Sequence, residues 1–134
     1  MKLFIFSIIV LLILSCTNLN KNDYYVRLTS SVEISHIEVP DTVDNNAVAL
    51  ITARAQAYDA CWSNLTFLLT KNSDFEYSLN AFGIYESYGS CPAMMVYGDT
   101  TITFQPAQIG LYKFYIYKGP NDTQVDTMIV RGNI

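Results

Sequence analysis

The side chains able to do chemistry are few: one histidine, three cysteines, a scatter of carboxylates and ten tyrosines. His36 is the sole imidazole, so a Ser–His–Asp or Cys–His arrangement has only one available base. It lies in VEISHIEVP, a stretch that reads as an edge strand, and no nucleophile stands in a recognisable elbow. Glu33 and Glu38 are an odd number of positions apart and share a face only if the strand changes phase between them. Glu76 and Glu86 are in phase but ten positions apart. Paired carboxylates must face one another to divide acid and base roles, and a solvated surface accounts for both pairs better. Asp41, Asp44, Asn45 and Asn46 offer hard oxygen ligands of the kind Ca²⁺ takes. They lack the glycine-punctuated spacing of a calcium loop and are ordinary turn formers. The glycines are scattered through turns and make no phosphate loop. We therefore expect no enzyme activity, no metal and no cofactor.

The cysteines divide into one and two. Cys16 ends the segment MKLFIFSIIVLLILSC, in which Lys2 precedes an apolar run over residues 3–14 broken only by Ser7. A dozen apolar residues fall short of the ~20 that cross a bilayer as a helix and suit the core of a secretory signal. Ile13-Leu14-Ser15-Cys16 resembles the bacterial lipoprotein signal: an aliphatic residue, a tolerant position, a small residue, then Cys. The resemblance implies that residues 1–15 are a signal peptide and that Cys16 carries the lipid. It also implies that the membrane is a partner through that acyl anchor. Thr17 after the cysteine, where that family's sorting rule reads Asp as a retention mark, points to the outer membrane, on either its periplasmic face or the cell surface.

Cys61 and Cys91 then belong to a chain in an oxidising compartment. A bridge would close a loop of roughly 30 residues, worth ~3–4 kcal/mol on the chain-entropy view. Two buried thiols or half a metal site are the alternatives, and a thiolate site needs further soft ligands where only His36 is on offer. The expectation is a Cys61–Cys91 disulfide.

Charge narrows the partners. The formal net charge is −4 and charged residues make up 15% of the chain, with no basic block, which speaks against nucleic acid. The tyrosines point elsewhere. If Tyr112, Phe114 and Ile116 face inward on LYKFYIYK, Tyr115 and Tyr117 face out. Tyr85, Tyr88 and Tyr97 lie in or beside the irregular stretch 83–99. Exposed tyrosine joins a large rigid face to a hydrogen-bonding tip, so Tyr85, Tyr88, Tyr97, Tyr115 and Tyr117 form the candidate surface for a protein or glycan.

The elements that must carry these residues are strands. Residues 17–27 are polar, Asn-rich and aperiodic, and residues 16–27 read as the lipidated Cys with a flexible tether. Beyond residue 28 no window spaces apolar residues at three and four, so helix is excluded beyond a turn. Val32 and Ile34 lie on one face and Ile37 and Val39 on the other, the phase change of a strand that kinks or crosses between sheets. AVALITARAQA suits a central strand. Phe75, Tyr77, Leu79 and Ala81 alternate with Glu76, Ser78 and Asn80. Ile102 and Phe104 point inward in TTITFQP, and TQVDTMIVR closes the domain. About seven short strands separated by Gly, Pro, Asn and Asp predict an all-β sandwich over 28–134.

FQPAQIGLYKFYIYKGPNDTQVDTMIV resembles the last strands of an immunoglobulin-like domain. Pro106, Gly110 and Tyr112 are spaced like that fold's tyrosine corner, which implies that the Tyr112 hydroxyl bonds back to the preceding turn. Phe114 occupies the position of the antibody-type cysteine and Trp62 lacks the spacing of the core tryptophan, leaving the broader bacterial immunoglobulin-like type. The whole resembles small lipoproteins of the Bacteroidota type. It is read as a lipid-anchored envelope protein with a non-catalytic binding or structural module. The alternative is an inhibitor or immunity protein that presents the stapled 83–99 segment to a protease or cell-wall enzyme.

Overall fold

The computed structural model describes residues 24–132; the expected signal peptide, the lipidation site Cys16 and the tether up to residue 23 lie outside them. Eight strands follow in order: β1 (Val26–Glu38), β2 (Thr42–Asp44), β3 (Ala49–Ala57), β4 (Trp62–Lys71), β5 (Glu76–Ser87), β6 (Val96–Phe104), β7 (Gly110–Gly119) and β8 (Asp122–Arg131). Strand β1 thus starts inside the stretch that reads as tether, with Val26 paired to Ser87 and Arg27 to Glu86. Turn chemistry follows the residues that tolerate positive φ. Asn46 and Asn121 turn the chain at φ of 67° and 61°, and Asn64 at 49° marks the register shift between Ser63 and Thr66 in β4.

The strands make one curled, mixed sheet in the order β2-β8-β7-β5-β1-β3-β6, with β4 paired to the other edge of β5. The expected all-β fold is present, with eight strands where about seven were expected, joined in one curled sheet. Two handovers explain the difference. The first half of β1 pairs with β5 and the second half with β3, and the register shifts between Ile34 and His36. That shift is the phase change visible in the sequence, where Val32 and Ile34 are buried and Ile37 packs from the next turn of pleat. Because β1 has β5 on one half and β3 on the other, it links the two parts of the sheet, with each half paired to one neighbour. Along β5, β1 occupies residues 81–87 of one edge while β7, running parallel, takes residues 76–79.

Side-chain size decides how tightly the sheet curls. On the β3 side the inward residues are Ala49, Ile51, Ala53, Ala55 and Ala57, alternating with more exposed neighbours. Gly98 sits beside Ala55 in the adjacent strand β6, and Ala81 and Gly83 line β5. A Cβ at Gly83 would fall 2.7 Å from Leu65 Cδ2, and one at Gly98 would fall 2.7 Å from Leu65 Cβ. So Leu65 fills the gap between β5 and β6, and only glycine leaves room for it. Two stacked sheets stand ~10 Å apart, and alanines are too short to bridge that distance, so this part of the sheet closes on itself. At the other end large side chains do the filling. Tyr112, Phe114, Ile116, Met128 and Val130 from β7 and β8 are fully buried with Leu79, and Phe104 is nearly so.

Tyr112 holds the turn before β7. Its hydroxyl donates to the Gln108 carbonyl at 3.0 Å and accepts the Gln108 N–H at 3.1 Å. A buried phenol therefore has both polar functions satisfied, and the 105–109 connection is tied to the core.

Candidate functional site

Where β1 leaves the edge of β5 and β7 takes it over, the sheet forks. The fork is bounded by the β7–β8 turn and by the β3–β4 connection, and it holds a groove of about 510 Å³. Its walls carry the rings of Tyr58, Trp62 and Tyr117, with Glu33, Gln56 and Lys118 between them. Register builds this set. Glu33 on β1 lies directly opposite Gln56 on β3, which puts both side chains on one face within bonding reach.

Glu33 is the fixed point of the groove. Its carboxylate accepts the Tyr58 hydroxyl, and Gln56 Nε2 at 2.9 Å. These bonds, the Tyr58 hydroxyl foremost and Gln56 next, hold the Glu33 carboxyl below the ordinary glutamate value; nearby Lys118 adds a smaller push in the same direction. The same contact raises the Tyr58 phenol. Lys118 Nζ donates to the Ser35 carbonyl at 3.3 Å, satisfying a backbone group at the register shift in β1. What results is an anionic acceptor held by two donors in a groove that aromatic rings also line, the composition of a site that can bind and orient a ligand.

The disulfide end of the sheet lies beside the groove. Cys61 and Cys91 are bridged, with Cα atoms 5.4 Å apart. The bridge ties the start of β4 to the 88–95 connection, and the Ala60 N–H donates to the Pro92 carbonyl at 2.9 Å. Asp59 Oδ1 accepts the Cys61 N–H at 3.0 Å, fixing the bend that delivers the cysteine. Asp59, Cys61 and Cys91 lie close enough to suggest a ligand set, but the two sulfurs are bonded to each other and offer no thiolate.

The five tyrosines expected to form one surface are dispersed. Tyr117 lines the groove. Tyr85 points inward at the mouth of the curl, its hydroxyl 3.2 Å from Cys91 Sγ and its ring edge-on to Trp62 at 5.3 Å. Tyr88 projects outward, 78% exposed, against the ring of Tyr25 at 4.9 Å. Tyr97 lies on the outer face of β6, directly across from Gln56, with the Arg54 guanidinium 5.8 Å above its ring. Tyr115 donates to Glu76 at 3.1 Å on the outer face of β5 and β7. His36 is exposed, with Nε2 3.2 Å from Glu38 Oε1. The Asp44 carboxylate, from the loop set weighed for calcium, pairs with Arg131 at 3.3 Å.

Four of the groove residues, Glu33, Gln56, Tyr58 and Lys118, play no part in the site expected from sequence. They converge through strand register and through a connection that crosses between layers, neither of which is a local property of the chain. The one local hint is the aromatic pair Tyr58 and Trp62 flanking Cys61. Compared with protein-family models, curated proteins and solved structures, the chain matches none.

Proposed function

We propose that this protein is a non-catalytic binding module, lipidated at Cys16 and held at the outer membrane, that takes a protein or glycan partner in the fork groove. The observation that carries the reading is Glu33, held by Tyr58 and Gln56 in a groove that Trp62 and Tyr117 also line. A pre-oriented acceptor beside aromatic faces lowers the ordering cost of recognition. The arrangement holds no nucleophile–base pair, and the lone imidazole stands on an outer face. The finer immunoglobulin-like reading of the fold is supported by the Tyr112 bonds to Gln108, by β1 crossing between layers and by the parallel pairing of β2 with β8.

The test is photo-crosslinking on intact cells. A photoreactive phenylalanine analogue replacing Tyr117 is expected to trap a discrete protein or glycan adduct, and the same analogue replacing the exposed Ile109 in the turn before β7 to trap none. Adding Glu33→Gln to the Tyr117 variant is expected to cut the yield roughly tenfold, the loss that ~1.4 kcal/mol produces. Equal capture at both positions, or a yield indifferent to Glu33→Gln, would overturn the proposal.

A further inference from the structure

Around the point where the described chain begins, the surface carries a collar of exposed Tyr, Met and Leu side chains. Tyr24 is 66% exposed, Met94 is 60% exposed, and Tyr25, Leu28 and Met95 are also open to solvent. These residues lie at the same end of the sheet, where β1 begins and β5 gives way to the 88–95 connection. Leu28 pairs with Tyr85 across β1 and β5, the Tyr85 hydroxyl touches Cys91, and the Met94 N–H bonds the Pro92 carbonyl next to it. Tyr25 packs on Tyr88 and donates to Glu86 at 3.3 Å. The nearest charges on this rim neutralise each other, Arg27 to Glu86 at 3.0 Å.

We infer that this rim is a lipid-contacting face on which the domain seats against the bilayer surface. The inference rests on the reading of Cys16 as the acylated residue. From Cys16 to Tyr24 is eight residues, a span of at most ~28 Å fully extended. Strand β5 alone, with 12 residues, is ~40 Å long. An anchor on so short a leash keeps the rim next to the headgroups and the Tyr112 end away from them. Side-chain chemistry agrees with that position. Tyrosine settles at the membrane–water boundary with its ring in the apolar layer and its hydroxyl in the wet one, and methionine adapts to an irregular apolar surface. A paired Arg27 and Glu86 bring no net charge to the surface, so zwitterionic lipid suffices as the occupant.

The experiment uses the full chain, purified from membranes and reconstituted into phosphatidylcholine–phosphatidylethanolamine vesicles containing bromine-labelled acyl chains. An environment-sensitive fluorescent amino acid replaces Tyr88 on the rim or Ile109 at the opposite end, both exposed positions whose replacement leaves the core intact. Flotation with the vesicles and the mass of the Cys16 peptide report the anchor; bromine quenching reports the seating. Quenching at position 88 is expected to exceed that at 109 several-fold, and to fall to the 109 level when Tyr24, Tyr25 and Met94 are changed to Ser, Ser and Gln. Flotation with equal quenching at the two positions overturns the seating and leaves the anchor standing. Failure to float, with an unmodified Cys16 peptide, overturns both.

Discussion

At the end of the sheet where β7 begins, Phe75, Tyr77, Phe104, Tyr112 and Phe114 interlock, with Phe104 set edge-on to Tyr77 at 4.9 Å, to Phe114 at 5.4 Å and to Tyr112 at 5.6 Å. At the other end the interior is alanine and glycine around Leu65, and a disulfide closes the mouth. Each buried ring removes ~150–250 Å² from water, whereas an alanine methyl removes little. The ring-filled end is held by burial that many residues share. The small-residue end has less apolar area to lose, and a covalent link restrains the unfolded chain in its place. The groove and the tyrosine–methionine rim both belong to the second end, where side chains remain partly exposed and free to meet a ligand.

The change that should damage this contrast most is Tyr112→Ala. It empties a fully buried ring site, and we expect a loss of ~3–5 kcal/mol, read as a lower urea midpoint. Next is the removal of both sulfurs, Cys61→Ser with Cys91→Ser. Loop closure over the 30-residue separation predicts a loss of ~3–4 kcal/mol. Amide exchange should quicken across residues 88–95 and remain slow at Tyr112; uniform acceleration would mean that the two ends are not held separately. Tyr112→Phe keeps the ring and deletes the hydroxyl that joins Gln108. The backbone it leaves can rehydrate at an exposed turn, so ~1 kcal/mol is expected.

The smallest effect concerns Glu33. Its carboxyl titrates below the ordinary glutamate range because Tyr58 and Gln56 donate to it. The unfolded chain therefore takes up its proton first on acidification. This contribution to stability is complete at neutral pH, declines as pH drops through the ordinary carboxylate range, and is gone below the depressed value. Glu33→Gln should flatten that part of the acid-denaturation slope while leaving the Tyr112 end unchanged, as followed by near-UV circular dichroism of the aromatic cluster.

Much of the strand pattern was legible in local alternation. Leu79 and Ala81, Ile102 and Phe104, and Tyr112, Phe114 and Ile116 all face the interior as their spacing predicts. The irregular stretch around Cys91 shrinks from 83–99 to residues 88–95, because β5 continues to Ser87 and β6 starts at Val96. The break in phase between Ile34 and Ile37 marked the place where β1 changes partners. What it could not disclose is which strands β1 passes between, since a kink carries no information on distant partners. The single curled sheet depends on Gly83 and Gly98 meeting the same leucine, a coincidence of register between strands far apart in sequence. The groove was hidden for the same reason: Glu33 and Gln56 become neighbours only once β1 and β3 are aligned.

Strand β5 receives β4 along one edge and both β1 and β7 along the other, which sets the order in which the molecule can assemble. The β4–β5 and β7–β8 pairs are local hairpins and can close early, whereas Val26 must wait for Ser87 and the parallel β5–β7 match must wait for β6 to cross over. Distant pairings of this kind fold slowly. Strand β1, the first of the described strands, is therefore among the last to find its place, and until then its open backbone is a template for any neighbouring chain.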